Sequence, residues 1–562
     1  MLARLLTLVA LAGLVYIPAA GSASLAAPTG VHPFYLRVDD PLPASFPRTP
    51  SFAWDPYEAA SGYDFQLATS TKFDDRTLAW STSQPVRVPA VSMPLALPWM
   101  TGHPDALYVR VRARVGKSVT RWSSPFGFNT AGEAPAKLPD IPGLVRWTPV
   151  DGATSYEVWF DNVVVDGLRG KVVTTTTNVA DEREYYTGHQ DPSWSGTVIW
   201  RVRAVRKVYG DLPNALPAVS YGPWSETFVS VNPPVTTGSW LTPLQTVSDA
   251  VTSNTGADAH QLTPGFSFVG DTAHNGTTGH LYRVYVATDR QCVNVVFTGS
   301  VVGSPAYAPR TSGPVELPPT ESDWTTYPAD KSQGNTFNAE SLPVTTDEQG
   351  GSTSTGGSTT TTAGSITNPG AASVPTEFTS NGPFVDLWDL GRTNARYWWT
   401  VVPVNVRTGS KYQDAESPQD ACAAGDVMQF VRTSQPATTS SASPFASGLS
   451  RFGDLVAAQS MAPSFYRATL IAWQPAKGAT GYEVQWSRTR SPWRAKTALF
   501  TASTATLLDQ LTPGTWYYRV RGIDPYVRGP VKQMTWSTPV KVTIARPKFL
   551  VQSGVTTRRV KK

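Results

Sequence analysis

Six histidines, at positions 32, 103, 189, 260, 274 and 280, are the first side chains to weigh for metal or acid–base chemistry. They are scattered. None forms His-x-x-x-His or His-Glu-x-x-His, the spacings that put two ligands on one helix face. His274 and His280 come nearest to a pair, in one turn, where exposed loop polarity accounts for them. Gly-x-Ser-x-Gly and Gly-Lys-Ser/Thr are absent, so neither a nucleophile elbow nor a phosphate loop is encoded. The acidic groups Asp181-Glu-Arg-Glu184 and Asp386-x-x-Asp389 lack the calcium-loop spacing and read as solvated turns. With 2 Cys the chain holds no Cys-rich zinc module. No catalytic residue, cofactor or metal site is implied.

Aromatic and basic residues offer binding chemistry instead. Trp493 sits in Ser491-Pro-Trp-Arg-Ala-Lys496, and Trp324 in Glu321-Ser-Asp-Trp-Thr-Thr-Tyr327. A flat ring beside hydrogen-bond donors suits sugar stacking or a protein hot spot; packing between structural units is the alternative. At the C-terminus Arg546, Lys548, Arg558, Arg559, Lys561 and Lys562 form a basic tail. It suits an anionic envelope polymer or membrane surface, or is a solvated, frayed end.

These residues are carried on a chain of 562 residues, of which 16% are charged, against about 25% in ordinary soluble domains. Gly (44), Pro (48) and Trp (19) are abundant, a composition of many short strands and turns. The 40% hydrophobic content excludes a wholly disordered chain. Residues 1–30 read as a secretory signal: Arg4, an apolar run from Leu5 to Ile17, then a small-residue exit ending near Ala23. That run is short for a membrane span of about 20 residues. The expected product is secreted, extracellular or cell-surface associated, without a transmembrane segment after signal cleavage.

Internal repetition organises the rest. Phe52-Ala-Trp54-Asp-Pro56 precedes Gly62-Tyr63-Asp-Phe65-Gln-Leu67. Val145-Arg-Trp147-Thr-Pro149 precedes Tyr156-Glu-Val158. Ile471-Ala-Trp473-Gln-Pro475 precedes Tyr482-Glu-Val484-Gln-Trp486, and Phe266-Ser-Phe268 with Tyr282-Arg-Val284 is a weaker copy. Period-two alternation puts Tyr482, Val484 and Trp486 on one face and Glu483 and Gln485 on the other. Downstream come Val109-Arg-Val111-Arg-Ala113, Trp200-Arg-Val202-Arg-Ala204, Trp399-Thr-Val401 and Tyr518-Arg-Val520-Arg-Gly522. Trp122-Ser123, Trp224-Ser225 and Trp536-Ser537 follow in three copies.

This pattern resembles the fibronectin type III repeat in the form common in secreted bacterial proteins. The resemblance implies an all-β fold: four tandem immunoglobulin-like sandwiches in a row. In that family the first Trp lies on strand B, Tyr-x-Val on strand C and Arg-Val-Arg on strand F. Strands C and F are neighbours, so Asp64, Glu157 and Glu483 would pair with the outward arginines on a solvated sheet, at roughly 0.2–1 kcal/mol each. That accounts for the arginines without nucleic acid. Cys292 follows strand C and Cys422 strand F of the third copy, which implies a disulfide. Trp516 stands where the family's corner tyrosine is usual and carries no hydroxyl for that hydrogen bond.

The expected units are repeat 1 (31–135), repeat 2 (136–234), repeat 3 (235–433), a linker (434–444), repeat 4 (445–548) and the tail (549–562). Repeat 3 holds a low-complexity insertion at about 304–382; Gly350 to Ser365 contains only Gly, Ser, Thr and Ala. Residues 434–562 carry 18 Lys+Arg and 4 Asp+Glu, whereas the remaining 433 carry 29 and 38. The net charge of +5 therefore hides a basic last module on an acidic three-repeat arm, read here as projecting away from the contact. The expected function is a non-catalytic binding or spacer protein. Its partner would be an envelope glycan, an anionic polymer or another surface protein. An accessory or catalytic component of a polysaccharide-degrading system, or a surface filament or layer subunit, are the other readings.

Overall fold

A computed structural model describes residues 25–316, 395–432 and 469–544, with short breaks inside each stretch, at 39, 58–59, 163–170, 183–195, 209–211, 214, 233–236, 239–240, 249–250, 254–258, 261, 272–280, 407–411, 495–497, 509–510 and 524–535. Residues 1–24 of the expected signal, His274, His280, Trp324, Asp386, Asp389 and the whole basic tail (Arg546, Lys548, Arg558, Arg559, Lys561, Lys562) lie outside the described residues. About half of the described residues are strand, and one short helix is the only helical element among them.

Repeat 1 runs β1 (His32–Phe34), β2 (Ser51–Ala53), β3 (Gly62–Ala68), β4 (Leu78–Ser81), β5 (Ala90–Val91), β6 (Leu107–Val115), β7 (Ser118–Val119) and β8 (Phe126–Phe128). Repeat 2 follows with β9 (Leu144–Arg146), β10 (Ser155–Asn162), β11 (Lys171–Thr175), β12 (Val179–Asp181), β13 (Gly196–Lys207), β14 (Val219–Trp224) and β15 (Phe228–Asn232). Repeat 3 begins β16 (Thr237–Gly238), β17 (Thr242–Ser248), β18 (Val251–Ser253), β19 (Ala259–His260), β20 (Gly265–Asp271), β21 (Tyr282–Ala287) and β22 (Val295–Thr298). It continues with β23 (Ala306–Tyr307), β24 (Ser312–Glu316), β25 (Ala395–Val406), β26 (Tyr412–Asp414), helix α1 (Pro418–Ala424) and β27 (Met428–Arg432). Repeat 4 comprises β28 (Thr469–Ala472), β29 (Gly481–Ser487), β30 (Ala498–Thr501), β31 (Ala505–Leu508), β32 (Gly514–Ile523) and β33 (Val540–Ile544).

Each repeat sets a small sheet against a larger one. The pairs are β1-β2-β5 with β4-β3-β6-β7, β12-β9 with β14-β13-β10-β11, β16-β20-β17-β18 with β19-β27-β25-β21-β22, and β28-β31 with β30-β29-β32-β33. The central antiparallel pair is the same throughout: β3–β6, β10–β13, β21–β25 and β29–β32. Period-two alternation buries Tyr482, Val484 and Val520, and their equivalents elsewhere, with the Trp of the small sheet.

The core contact repeats at nearly fixed geometry. Trp54–Tyr63, Trp147–Tyr156 and Trp473–Tyr482 meet edge to face at centroid distances of 5.2, 5.3 and 5.4 Å, and Phe268–Tyr282 does so at 5.3 Å. Such pairs contribute roughly 0.5–1.5 kcal/mol beyond area burial. The tyrosine hydroxyls are satisfied alike. Tyr57 N–H donates to Tyr63 Oη (2.9 Å), Val150 N–H to Tyr156 Oη (2.8 Å) and Ala476 N–H to Tyr482 Oη (3.2 Å). A residue six positions upstream supplies the donor in each case, so the hydroxyl closes the turn that links the two sheets.

Repeats 2 and 3 are fused. β24 pairs antiparallel with β11, extending the repeat 2 sheet with a strand from the repeat 3 segment. Asp181 and Arg310 form a buried ion pair at 2.8 Å, and Asp181 Oδ2 accepts the Ala308 N–H at 2.6 Å. This corrects two sequence expectations. Asp181 is not in a solvated turn: it is fully buried, as is Glu182 almost entirely. Its partner comes from 129 residues away, beyond the reach of a local reading. The span 304–382 is also not low-complexity from its start, since β23 and β24 lie within it.

Repeats 1 and 2 meet at Arg206. Its Nε donates to Leu97 O (2.5 Å), Nη1 to Gly152 O (2.8 Å) and Nη2 to Thr49 Oγ1 (3.3 Å). Full burial lowers its pKa to about 10, with nearby Tyr35 and Asp151 opposing. Gly152 (φ +78°) is required here, because a Cβ would lie 2.0 Å from Pro47 O. The four repeats follow one another along the chain, yet in space repeat 4 folds back onto repeat 1. Leu470, Ala472 and Ala505 are buried in the repeat 1 core cluster. The acidic repeats therefore do not project away from the basic module as an arm.

Candidate functional site

The outward faces of the larger sheets of repeats 1, 2 and 4 carry the arginines. On β29 and β32, Glu483 lies opposite Arg521 and Gln485 opposite Arg519. Arg521 Nε donates to Glu483 Oε2 at 2.7 Å, and Arg519 Nη2 to Gln485 Oε1 at 2.8 Å. The same pairing recurs as Arg112–Asp64 (2.9 Å) with Arg110–Gln66 (2.8 Å), and as Arg203–Glu157 (2.8 Å). Cross-strand acid–arginine pairing thus operates in three repeats.

The arginines are also stacked, which the pattern alone did not reveal. Trp536 lies between Arg519 (4.3 Å) and Arg521 (4.4 Å), and Trp493 covers Arg519 at 4.5 Å. In repeat 1 Trp122 lies between Arg110 (4.5 Å) and Arg112 (4.6 Å), with Phe73 over Arg110 at 4.1 Å. In repeat 2 Trp224 lies between Arg201 (4.5 Å) and Arg203 (4.7 Å). Each contact contributes about 0.5–2 kcal/mol depending on desolvation. The face is therefore not simply a solvated sheet: Arg201 and Arg203 are fully buried.

The Trp-Ser dipeptide explains the placement. Ser537 Oγ accepts the Val520 N–H (2.9 Å), and Ser537 N–H donates to Val520 O (2.7 Å). Ser123 holds Val111 and Ser225 holds Val202 identically. The serine pins the returning chain to the strand between its two arginines, and the preceding Trp falls between their side chains. Burial, then Arg521 nearby, lowers the Arg519 pKa; burial, then Arg112 nearby, lowers that of Arg110.

Repeat 3 lacks the arginines and covers that face differently. Helix α1 packs Ala421 against Val402 and Tyr285. Ser417 caps it, accepting the Asp420 N–H, and Gly425 (φ +99°) ends it. Cys292 and Cys422 are joined, Cα atoms 6.1 Å apart, which staples the helix to the turn between β21 and β22. Arg283 finds its acid in Asp414 of β26, at 3.5 Å.

The turn between β29 and β30 of repeat 4 is where the framework opens to solvent. Trp493 is half-buried; its Nε1–H donates to Gln485 Oε1 at 3.2 Å. Arg490 and Arg494 flank it, exposed, and neither has a partner among the described residues. Arg488 lies over the Trp516 ring at 3.9 Å and donates to Thr512 Oγ1. Lys541, also exposed, lies opposite Tyr517 on the same sheet face as Arg519. The corner bond expected to fail is made: Trp516 Nε1–H donates to Thr512 O at 2.8 Å. An indole N–H thus does what a tyrosine hydroxyl does elsewhere. Among the described residues, no group of three or more His, Cys, Asp and Glu is placed to hold a metal, and no helix is long and apolar enough to cross a membrane.

No protein-family model matches the chain, and no curated protein matches it. Several solved structures overlap parts of it. The FN1–FN3 domains of chicken CNTN1 are 15% identical, with 46% of this chain and 80% of that one covered and a TM-score of 0.14. A two-domain fibronectin type III segment from chicken tenascin is 16% identical (37% and 99% covered, TM-score 0.18). The chicken interferon gamma receptor alpha chain is 11% identical (37% and 100% covered, TM-score 0.18). By strand order and repeated core contacts, the four units are fibronectin type III-like sandwiches.

Proposed function

We propose that this protein is an exported, non-catalytic binding and spacer protein of the cell surface, and that repeat 4 contacts an anionic envelope glycan. The observation that carries this reading is the turn between β29 and β30: a half-exposed indole between two exposed arginines that have no partner among the described residues. The ring offers a flat apolar surface for a sugar face. The guanidinium groups offer forked donors that match carboxylate or phosphate oxygens. Repeats 1–3 then space and orient this contact.

Retention of the full chain on polygalacturonate beads, with dextran beads as the neutral control, tests it. Retention on the acidic beads alone is expected, falling steeply as salt shortens the screening length. Trp493→Ala should weaken retention by roughly tenfold, the scale of a single stacking contact of about 1–2 kcal/mol. Equal retention on both beads, unchanged by the substitution, contradicts the reading.

A further inference from the structure

Two contacts between repeats differ in kind. Repeats 2 and 3 share a sheet and bury the Asp181–Arg310 pair, so separating them would strand two charges. Repeats 1 and 4 meet through short side chains and backbone. Ala502 N–H and Thr501 Oγ1 donate to Met93 O (2.8 and 3.0 Å), and Ser503 Oγ accepts the Met93 N–H (3.2 Å). Ser503 Oγ donates to Pro50 O (3.0 Å), and Ser51 Oγ to Ala505 O (3.3 Å). Arg48 Nη1 adds a bond to Thr504 Oγ1 at 3.3 Å.

Both surfaces belong to units with their own cores. Trp473, Tyr482 and Val520 form a cluster separate from the one under Phe52 and Phe65. Lifting repeat 4 away leaves Arg206 bonded to repeats 1 and 2, but uncovers apolar atoms of Leu470, Ala472 and Ala505. Residues 433–468, a span of 36, separate β27 from β28, so no short connection forces the contact to form within one chain.

We propose that the repeat 1–repeat 4 contact also joins copies of this chain: repeat 4 of one copy seats on repeat 1 of another. The occupant is defined by the structure itself, since the face that fits repeat 1 is already seated on it. Every copy carries one donor face and one acceptor face. Reciprocal exchange between two copies closes a dimer, and one-way exchange builds a head-to-tail chain. Within one copy the contact is favoured by a local concentration in the millimolar range, so exchange grows with protein concentration.

Two full-length variants test this. Ser51→Lys places a charge on the acceptor face and leaves Phe52 in the core; Ser503→Lys does the same on the donor face. Each variant alone should be monomeric. Mixed at up to about 1 mM, comparable with the tethered concentration, they should form a 1:1 heterodimer by size exclusion with light scattering, because one contact remains intact between them. A mixture that stays monomeric while both variants keep a native near-ultraviolet spectrum overturns the proposal. If either variant misfolds, light and heavy-nitrogen wild-type protein are mixed, concentrated and weighed by native mass spectrometry. Mixed-isotope dimers that Ser503→Ala diminishes are expected; their absence overturns the proposal.

Discussion

Repeats 1 and 4 are built on one frame and differ at one turn. Both stack an aromatic ring, an arginine, a tryptophan and a second arginine along the outward face. In repeat 1 the first ring is Phe73, which is buried, and Asp74 closes the turn by accepting Thr77 N–H (3.1 Å) and Oγ1–H (2.8 Å). Lys72, Asp74, Asp75 and Arg76 balance in charge. In repeat 4 the ring is Trp493, half-exposed, and the turn from Arg488 to Arg494 carries three arginines and no acid. The stack is thus a structural device in both. What distinguishes repeat 4 is surplus cation beside an accessible indole. A stacked arginine is no evidence of binding, whereas one without a partner among the described residues, next to an open ring, is.

The largest effect should come from breaking what the two repeats share. Trp54→Ala and Trp473→Ala each remove a buried ring packed edge to face on a tyrosine. Each should cost about 3–5 kcal/mol, seen as an early unfolding step in denaturant. A marked difference between the two would mean the frames are not equivalent.

The acid–arginine pairs should separate the repeats. Arg521→Ala leaves the buried Glu483 without its ion pair and should cost about 3 kcal/mol. Arg112→Ala leaves Asp64 still paired to Arg114 at 2.8 Å and should cost about 1 kcal/mol. Chemical denaturation of both variants checks the order.

Alkaline pH probes the tyrosines. Burial pushes Tyr482 and Tyr518 of repeat 4 up to about 12, and raises Tyr63 of repeat 1. Their folded values exceed the unfolded value of about 10. Stability from these groups is therefore complete below pH 10 and lost as pH rises through about 12. Tyrosinate absorbance should rise together with unfolding in that window. Full titration with the fold intact would contradict it.

Much of this frame was legible in the sequence, because its determinants are local. Alternation along Gly481–Ser487 and Gly514–Ile523 marks strands that pair in the observed register. The acids and arginines face each other because strand neighbours follow from the repeat. The stacked tryptophans were visible as Trp-Ser dipeptides, but their role depends on the serine's hydrogen bonds to a strand a dozen or more residues away. Asp181 was misread because its partner, Arg310, arrives from another repeat. The indole bond of Trp516 is not legible from the family pattern, which places a hydroxyl at that corner, although any N–H or O–H donor suffices. The seating of repeat 4 on repeat 1 joins backbone groups and small polar side chains more than 400 positions apart, such as the Met93 N–H and Ser503 Oγ, which carry no local signature.

The smallest effect on stability should accompany the largest on binding. Arg490→Ala/Arg494→Ala removes exposed groups and should change stability by under about 0.5 kcal/mol. The most direct measurement is calorimetric titration of polygalacturonate into the full chain, this double variant, and Lys72→Ala/Arg76→Ala in the equivalent turn of repeat 1. Affinity should fall at least tenfold in the repeat 4 variant and stay within twofold of wild type in the repeat 1 variant. Equal affinity in all three, or an equal loss in both variants, would contradict the assignment of binding to the repeat 4 turn.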